Sequence, residues 1–310
     1  MQDIYINPFT DFGFKKLFGE EPHKDLLISF LNTLLPEKHQ IENLHYSKNE
    51  YQGSAALDRK AIFDLHCMSA TGERFIVELQ KAKQNYFKDR SVYYSTFPIQ
   101  EQAQRGDWDY QLAAVYTVGI LDFVFDEDAR AHDLDVIHNV QLKNRHGNVF
   151  YDKLTFIYLT LPHFKKTLEQ LDNLQDKWLY IFKHLHELHD IPAVLKESIF
   201  LKVFAVAQIA KLSRQEQQAY QDSLKYYRDL KNVTDTAWEE GKLEGLQEGL
   251  QKGKQEGLEE GLAQGLLKGE QAGIEKAVLA MHRQGLSVDF IAATLNLPGD
   301  TVGYLINNAK

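Results

Sequence analysis

Two carboxylates, Asp64 and Glu78, flank a short polar break, Ser69-Ala-Thr-Gly-Glu73, and they are the residues whose spacing points to chemistry. Apolar-alternating runs lie on both sides of the break, so Ala61–Lys81 reads as a β-hairpin. Side chains alternate faces along a strand. Phe75, Val77 and Leu79 therefore share one face, and Ile76, Glu78 and Gln80 share the other. Ile62, Asp64 and His66 share a face of the first strand. With those five residues as the turn, Asp64 lies directly across from Glu78. Opposed residues point the same way, with Cβ atoms about 5 Å apart. Two carboxylates at that separation repel, and a divalent cation between them would turn the cost into a binding site. Spacing alone leaves a second reading open, in which both acids line a solvated strand face.

The surrounding residues favour the first reading. Asp64, then Glu78-x-Gln80 on the next strand, then a helix, resembles the PD-(D/E)XK nuclease motif. More narrowly, the chain is similar to the Rpn family of recombination-promoting nucleases and transposases. That likeness rests on Asn7-Pro-Phe-Thr-Asp-Phe-Gly-Phe-Lys-Lys-Leu-Phe-Gly19, Asp64, Val77-Glu-Leu-Gln80, Arg90, Tyr93-Tyr94 and Gln102. It covers most of residues 3–230, and a Gly-repeat tail is common in that family as well. The resemblance implies an α/β fold: a restriction-endonuclease-like core, a mixed sheet flanked by helices, with an all-helical C-terminal region.

It also implies a Mg²⁺-dependent deoxyribonuclease, with Mn²⁺ as a substitute, acting on DNA in recombination, mobile-element biology or defence against foreign DNA. Asp64 and Glu78 would then hold the metal, with the Leu79 carbonyl as a third ligand, and Gln80 would orient the attacking water. Phosphodiester hydrolysis needs such an ion to neutralise the phosphate and to activate water near neutral pH. Asp11, Lys15, Lys81, Arg90, Tyr94 and Gln102 would contact substrate. Two departures stand out: Gln80 occupies the motif lysine position, and Phe63 occupies the proline position. Lys15, Lys81, Lys83 or Arg90 would have to supply the missing positive charge. Asp11 is either an extra acid or a helix cap, and His66 shares the Asp64 face. The competing classes are a non-catalytic DNA-binding or assembly protein that keeps the fold, and a true transposase.

Composition sets bounds. With 310 residues, 44% of them hydrophobic, the chain can bury a sizeable core. The net charge of −9 argues against a generally basic nucleic-acid binder. Acid is concentrated around Asp126-Glu127-Asp128 and in residues 233–275, whereas Lys81, Lys83, Lys88 and Arg90 make a locally basic run beside the acid pair. The start, MQDIYINPFTDFGF, has no basic segment followed by an apolar one, so no signal peptide is expected. No apolar run approaches a membrane span. The single cysteine, Cys67, excludes an intrachain disulfide and should face the core. A cytoplasmic location is the expectation.

Four segments follow: a nuclease-like core at 1–163, a helical extension packed on it at 164–232, a stalk at 233–275 and a small helical module at 276–310. Within the core, helices are expected at Asp11–Gly19, capped by Thr10 or Asp11, at Lys24–Leu34, and at Gln84–Gln104 with a break near Pro98. Strands are expected at Ile41–Tyr51, in the hairpin, and at Leu112–Phe125, Val136–Leu142 and Leu154–Leu161. His186 and His189 are three apart, which is not zincin spacing, and should face solvent on an amphipathic helix. In the stalk, glycine recurs every fourth residue from Gly241 to Gly273 among strong helix formers. Interior glycines each cost about 1 kcal/mol against alanine, so a lone helix is marginal. A second copy approaching along the stripe would explain them, giving a homo-oligomer; a flexible acidic linker is the competing reading. The end resembles a helix-turn-helix whose reading helix, Thr301–Asn308, carries no Lys or Arg. That suits assembly better than DNA reading.

Overall fold

The computed structural model describes residues 3–47, 50–51, 61–103, 109–126 and 134–308. Residues 48–49 of the expected first strand, Gln104 at the expected helix end, and Glu127 and Asp128 of the acidic run lie outside them. The chain forms two units, Met1–Asp235 and Thr236–Lys310.

In the first unit, α1 spans Asp11–Phe18. Thr10 caps it, its hydroxyl accepting the Gly13 N–H at 2.9 Å while donating to the Asn7 carbonyl at 2.7 Å. Asp11 is therefore the first helical residue and not the cap. A Cβ on Gly13 would lie 2.2 Å from the Asn7 carbonyl oxygen, so the turn admits only glycine there. α1 buries Phe14, Leu17 and Phe18. α2, Lys24–Asn32, adds Phe30 beside them. α4, Leu174–His184, supplies Trp178 and Phe182. Phe18 stacks on Phe182 at 5.3 Å and meets Trp178 at 5.8 Å, and Phe30 meets Phe182 edge-on at 4.8 Å. This aromatic centre, joined by Phe200 and Phe204 of α5 (Ser198–Ala207), covers one face of the sheet.

The sheet has six strands in the order β1-β4-β5-β6-β8-β7. They are β1 Leu44–Tyr46, β4 Leu65–Ser69, β5 Arg74–Gln80, β6 Val115–Leu121, β7 Ile137–Lys143 and β8 Val149–Thr160. β5, β6 and β8 run parallel and the remaining pairs antiparallel. Parallel strands are covered on both faces and read as continuous apolar runs; β6, VYTVGIL, is buried throughout. The second face is covered by α3, Phe87–Gln100. The mixed sheet between helical layers is the expected core.

Several expected boundaries move. Ile41–Tyr51 is two strands, β1 and then β2 (Glu50–Tyr51), which pairs separately with β3 (Ala61–Ile62). Pro98 lies inside α3 without ending it. α4 stops at His184, so His186 sits in a following 3₁₀ turn, not on the helix. Cys67 is wholly buried, as its face requires.

α6 spans Arg214–Arg283. In the first unit it buries Tyr220 and Leu224 against the core. In the second unit its glycines Gly241–Gly273 have no other atom near an added Cβ, and Leu246, Leu250, Leu258, Leu262 and Leu266 are exposed. The segment is helical throughout. Its end packs with α7 (Val288–Leu295) and α8 (Gly299–Asn308) around Val278, Ile291 and Val302. Ser287 caps α7, accepting the Phe290 N–H at 3.4 Å.

Gly119 faces Glu78 across the β5–β6 register, and a Cβ there would lie 2.9 Å from the Tyr158 ring. Gly119→Ala should therefore destabilise the first unit by about 1–3 kcal/mol through overpacking. Urea unfolding checks this, and an unchanged midpoint would remove the steric argument.

Candidate active site

β4 and β5 pair with Leu65 opposite Val77 and His66 opposite Ile76, a register that sets Asp64 across from Glu78. Asp64 occupies a bend just before β4. Phe63 anchors that bend, buried with Ile76 against Tyr94 and Phe97 of α3. The two acids then cross. Asp64 Oδ2 accepts the Leu79 N–H at 2.7 Å, and Glu78 Oε1 accepts the Asp64 N–H at 3.4 Å. Each carboxylate is thus held by the other's strand.

Both side chains keep a narrow opening to solvent but are otherwise ringed by protein. Burial raises the Asp64 carboxyl, the Leu79 N–H opposes that, Asp11 adds to it, and Lys15 and Lys81 pull it back. Burial and then the Asp64 charge push Glu78 up, against the pull of Arg90. The metal-free pair therefore holds its protons more tightly than free carboxylates, and a cation would relieve the repulsion.

The Gln80 carbonyl accepts the Asp122 N–H from the β6 side at 3.0 Å. Peptide groups alternate along a strand, so the Leu79 N–H and C=O face the Asp64 side. Two carboxylates and one carbonyl suit a hard cation that keeps several waters, which is the habit of Mg²⁺. Among the described residues no group of three or more His, Cys, Asp or Glu side chains gathers to hold a metal, so an all-protein cage is not formed there.

Gln80 is buried and its amide is occupied. Its Nε2 donates to the Ala82 carbonyl at 2.8 Å, and its Oε1 accepts from Arg90. Both ends of the amide have protein partners, and it ties Arg90 beside Glu78. Arg90 also lies 5.8 Å from the Tyr94 ring centroid. Lys81 emerges on the opposite face, 5.5 Å from the Tyr226 ring centroid, and feels Asp11, Asp64 and Lys15. Lys15 and Asp11 form an exposed ion pair at 2.9 Å. Lys83 is paired with Asp126, and Lys88 stands over the Phe125 ring at 4.5 Å, so half of the basic run has other partners.

One expected contact falls elsewhere. Gln102 holds the Ala113 N–H at 2.7 Å and donates to the Pro98 carbonyl at 3.1 Å. Ala113 precedes β6, about 20 Å along the strand from Gly119 beside Glu78, so Gln102 clamps the far end of the sheet. His66 is wholly buried against Phe63 and cannot touch a substrate. A cavity of about 990 Å³, lined by Asp135, His163, Lys166, Asp172 and Asp176, shares no residue with the acid pair. Its Lys166 is already bound by Asp176 at 2.6 Å, so volume does not locate the chemistry.

One group escaped the sequence reading. Asp122, directly after β6, is largely buried with its carboxyl raised by burial, and accepts the Tyr227 hydroxyl at 2.9 Å. An acid ending a buried strand beside Glu78-x-Gln80 was the available signal; its partner on α6 was not.

Glu78 gives a pH test. Its folded value is pushed up to about 8, above the unfolded value of about 4.3. Protonated Glu78 therefore stabilises the metal-free fold fully below the unfolded value, and that contribution fades as pH rises through about 8. Melting in EDTA should show the Tm falling with pH over this window, and Glu78→Gln should flatten the fall. Equal slopes in both proteins would show that Glu78 is not the titrating group.

The family model for PD-(D/E)XK nuclease family transposases matches residues 8–237. No curated protein and no solved structure gave a match. The matched span takes in the sheet, both helical layers and the crossed acid pair, and on that footing the chain belongs to the PD-(D/E)XK nuclease family transposases.

Proposed function

We propose that this chain is a divalent-metal-dependent endonuclease that hydrolyses DNA phosphodiester bonds at Asp64 and Glu78. The biological setting we assign is recombination, mobile-element movement or defence against foreign DNA. Family membership carries a nuclease-like function and implies DNA as partner. The observation behind the finer reading is the crossing of two half-buried acids at the end of the β4–β5 pair. Asp64, Glu78 and the Leu79 carbonyl would hold Mg²⁺, with Mn²⁺ as a substitute. When bound, the ion would neutralise phosphate charge and acidify a water. Arg90, held by Gln80, supplies fixed positive charge beside Glu78, a role that a motif lysine would otherwise fill. Gln80 is then a positioning residue. Lys81 and Lys15 meet the phosphate backbone from the α1 side, with Asp11 orienting Lys15.

A second reading draws support from Gln80 itself. A neutral amide in place of an ammonium also suits a DNA-binding protein with an impaired site. Strand joining by a transposase is the third possibility, and joining of defined ends would reveal it. Plasmid nicking in Mg²⁺ or Mn²⁺ but not in EDTA distinguishes these. Asp64→Ala and Glu78→Ala should each lower nicking by about 100-fold or more. Nicking unchanged in both variants would assign the activity to a contaminant, and binding without nicking would favour the second reading.

We further propose that the chain self-associates through the glycine stripe of α6, and that the segments 1–163, 164–232, 233–275 and 276–310 act as core, extension, stalk and assembly module. Among the described residues no helix is long and apolar enough to cross a membrane. Within one chain an alanine at Gly249 or Gly257 meets nothing, and should gain about 1 kcal/mol of helix stability per site. In an assembly with close backbone approach the same change loses contact. Light scattering of the full chain carrying Gly249→Ala and Gly257→Ala should show a smaller assembly; an unchanged mass would reject the stripe as the interface.

A further inference from the structure

The strand end carrying the acid pair lies between two helical layers, and each layer presents an open tyrosine there. On α6, Tyr226 leaves 63% of its surface exposed, with the Lys81 ammonium 5.5 Å from its ring centroid. Its neighbour Tyr227 turns inward and donates to Asp122 at 2.9 Å. The Asp122 N–H in turn donates to the Gln80 carbonyl at 3.0 Å. These two hydrogen bonds tie the helical turn bearing Tyr226 to the end of β5. On the α3 side, Tyr86 is 80% exposed and adopts φ +61°, a left-handed conformation that a side chain of this size rarely takes. Its carbonyl accepts the Arg90 N–H at 2.9 Å, and Arg90 holds Gln80. The backbone carrying each tyrosine is therefore tied to the same strand end, and both rings face solvent.

Neither ring fills a core. An aromatic face next to a cation fits a nucleobase with its phosphate, since base stacking tolerates any sequence and the cation meets the backbone. Bases within a duplex already stack on one another, so only an unpaired strand offers its faces. We infer that the site takes an unpaired DNA strand, with bases stacked on Tyr226 and Tyr86 while Lys81 and Arg90 meet the intervening phosphates. This rests on the nuclease reading above and narrows its substrate to single-stranded, frayed or gapped DNA.

The test uses the full chain and fluorescence anisotropy in EDTA, with one labelled oligonucleotide offered as a single strand and as a blunt duplex. The wild type should bind the single strand more tightly. Tyr226→Ala should weaken single-strand binding by about 5- to 150-fold and the duplex by less. Tyr226→Trp should restore the preference, and adding Tyr86→Ala to Tyr226→Ala should weaken it further. A duplex preference in the wild type, equal losses on both ligands, or no rescue by tryptophan would overturn the inference. Nicking in Mg²⁺ is scored separately. A single-strand preference lost in Tyr226→Ala without any nicking would keep the stacking role and defeat the nuclease reading; nicking without that preference would do the reverse.

Discussion

Two carboxylates forced together at the end of the β4–β5 pair are the constraint around which the first unit is arranged. Left to themselves Asp64 and Glu78 would separate, because burial and mutual repulsion both penalise their charged forms. They stay because backbone groups hold them. The Leu79 N–H grips Asp64, and the Asp64 N–H reaches Glu78. Backbone can do this only if the strands cannot slide. β5 is locked into a parallel run with β6 and β8, buried on both faces, and Phe63 pins the bend at Asp64.

Charge around the pair is divided between the two faces of the sheet. On the α3 face Arg90 stands beside Glu78, tethered by the Gln80 amide. On the other face Lys81 and Lys15 act on Asp64. A guanidinium keeps its charge in surroundings that would deprotonate an ammonium. With a neutral amide at position 80, the cation beside Glu78 comes from the neighbouring helix, where hydrogen bonds hold its planar guanidinium. On the proposed reading, α3 then belongs to the site as well as covering the sheet.

The N-terminal stretch shows how a conspicuous motif can be structural. Asn7 accepts the Phe9 N–H at 2.8 Å through its side chain, Thr10 caps α1, and Gly13 fits where no Cβ could. The Asn7 N–H donates to the Tyr220 hydroxyl at 3.0 Å, joining the motif to α6. The same helix carries Tyr227 to Asp122. A local turn chemistry and one long helix together close the end of the sheet at which the acids lie.

Much of this was legible in residue order. Period-two alternation and the Ser69–Glu73 turn were enough to place Asp64 across from Glu78, because a hairpin register depends only on local geometry. The buried β6 run and the glycine-spaced helix could be read for the same reason. What residue order could not reach were contacts between segments distant in the chain. Gln102 has the look of a groove residue, yet α3 is long enough to carry it to the opposite end of β6. The partner of Gln80, Arg90, becomes visible only once α3 packs on the sheet. Asp122 gains meaning only when α6 brings Tyr227 against it. Local pairing follows from alternation and turns, whereas the partners of a side chain depend on how layers pack, and that is settled by the whole buried surface at once.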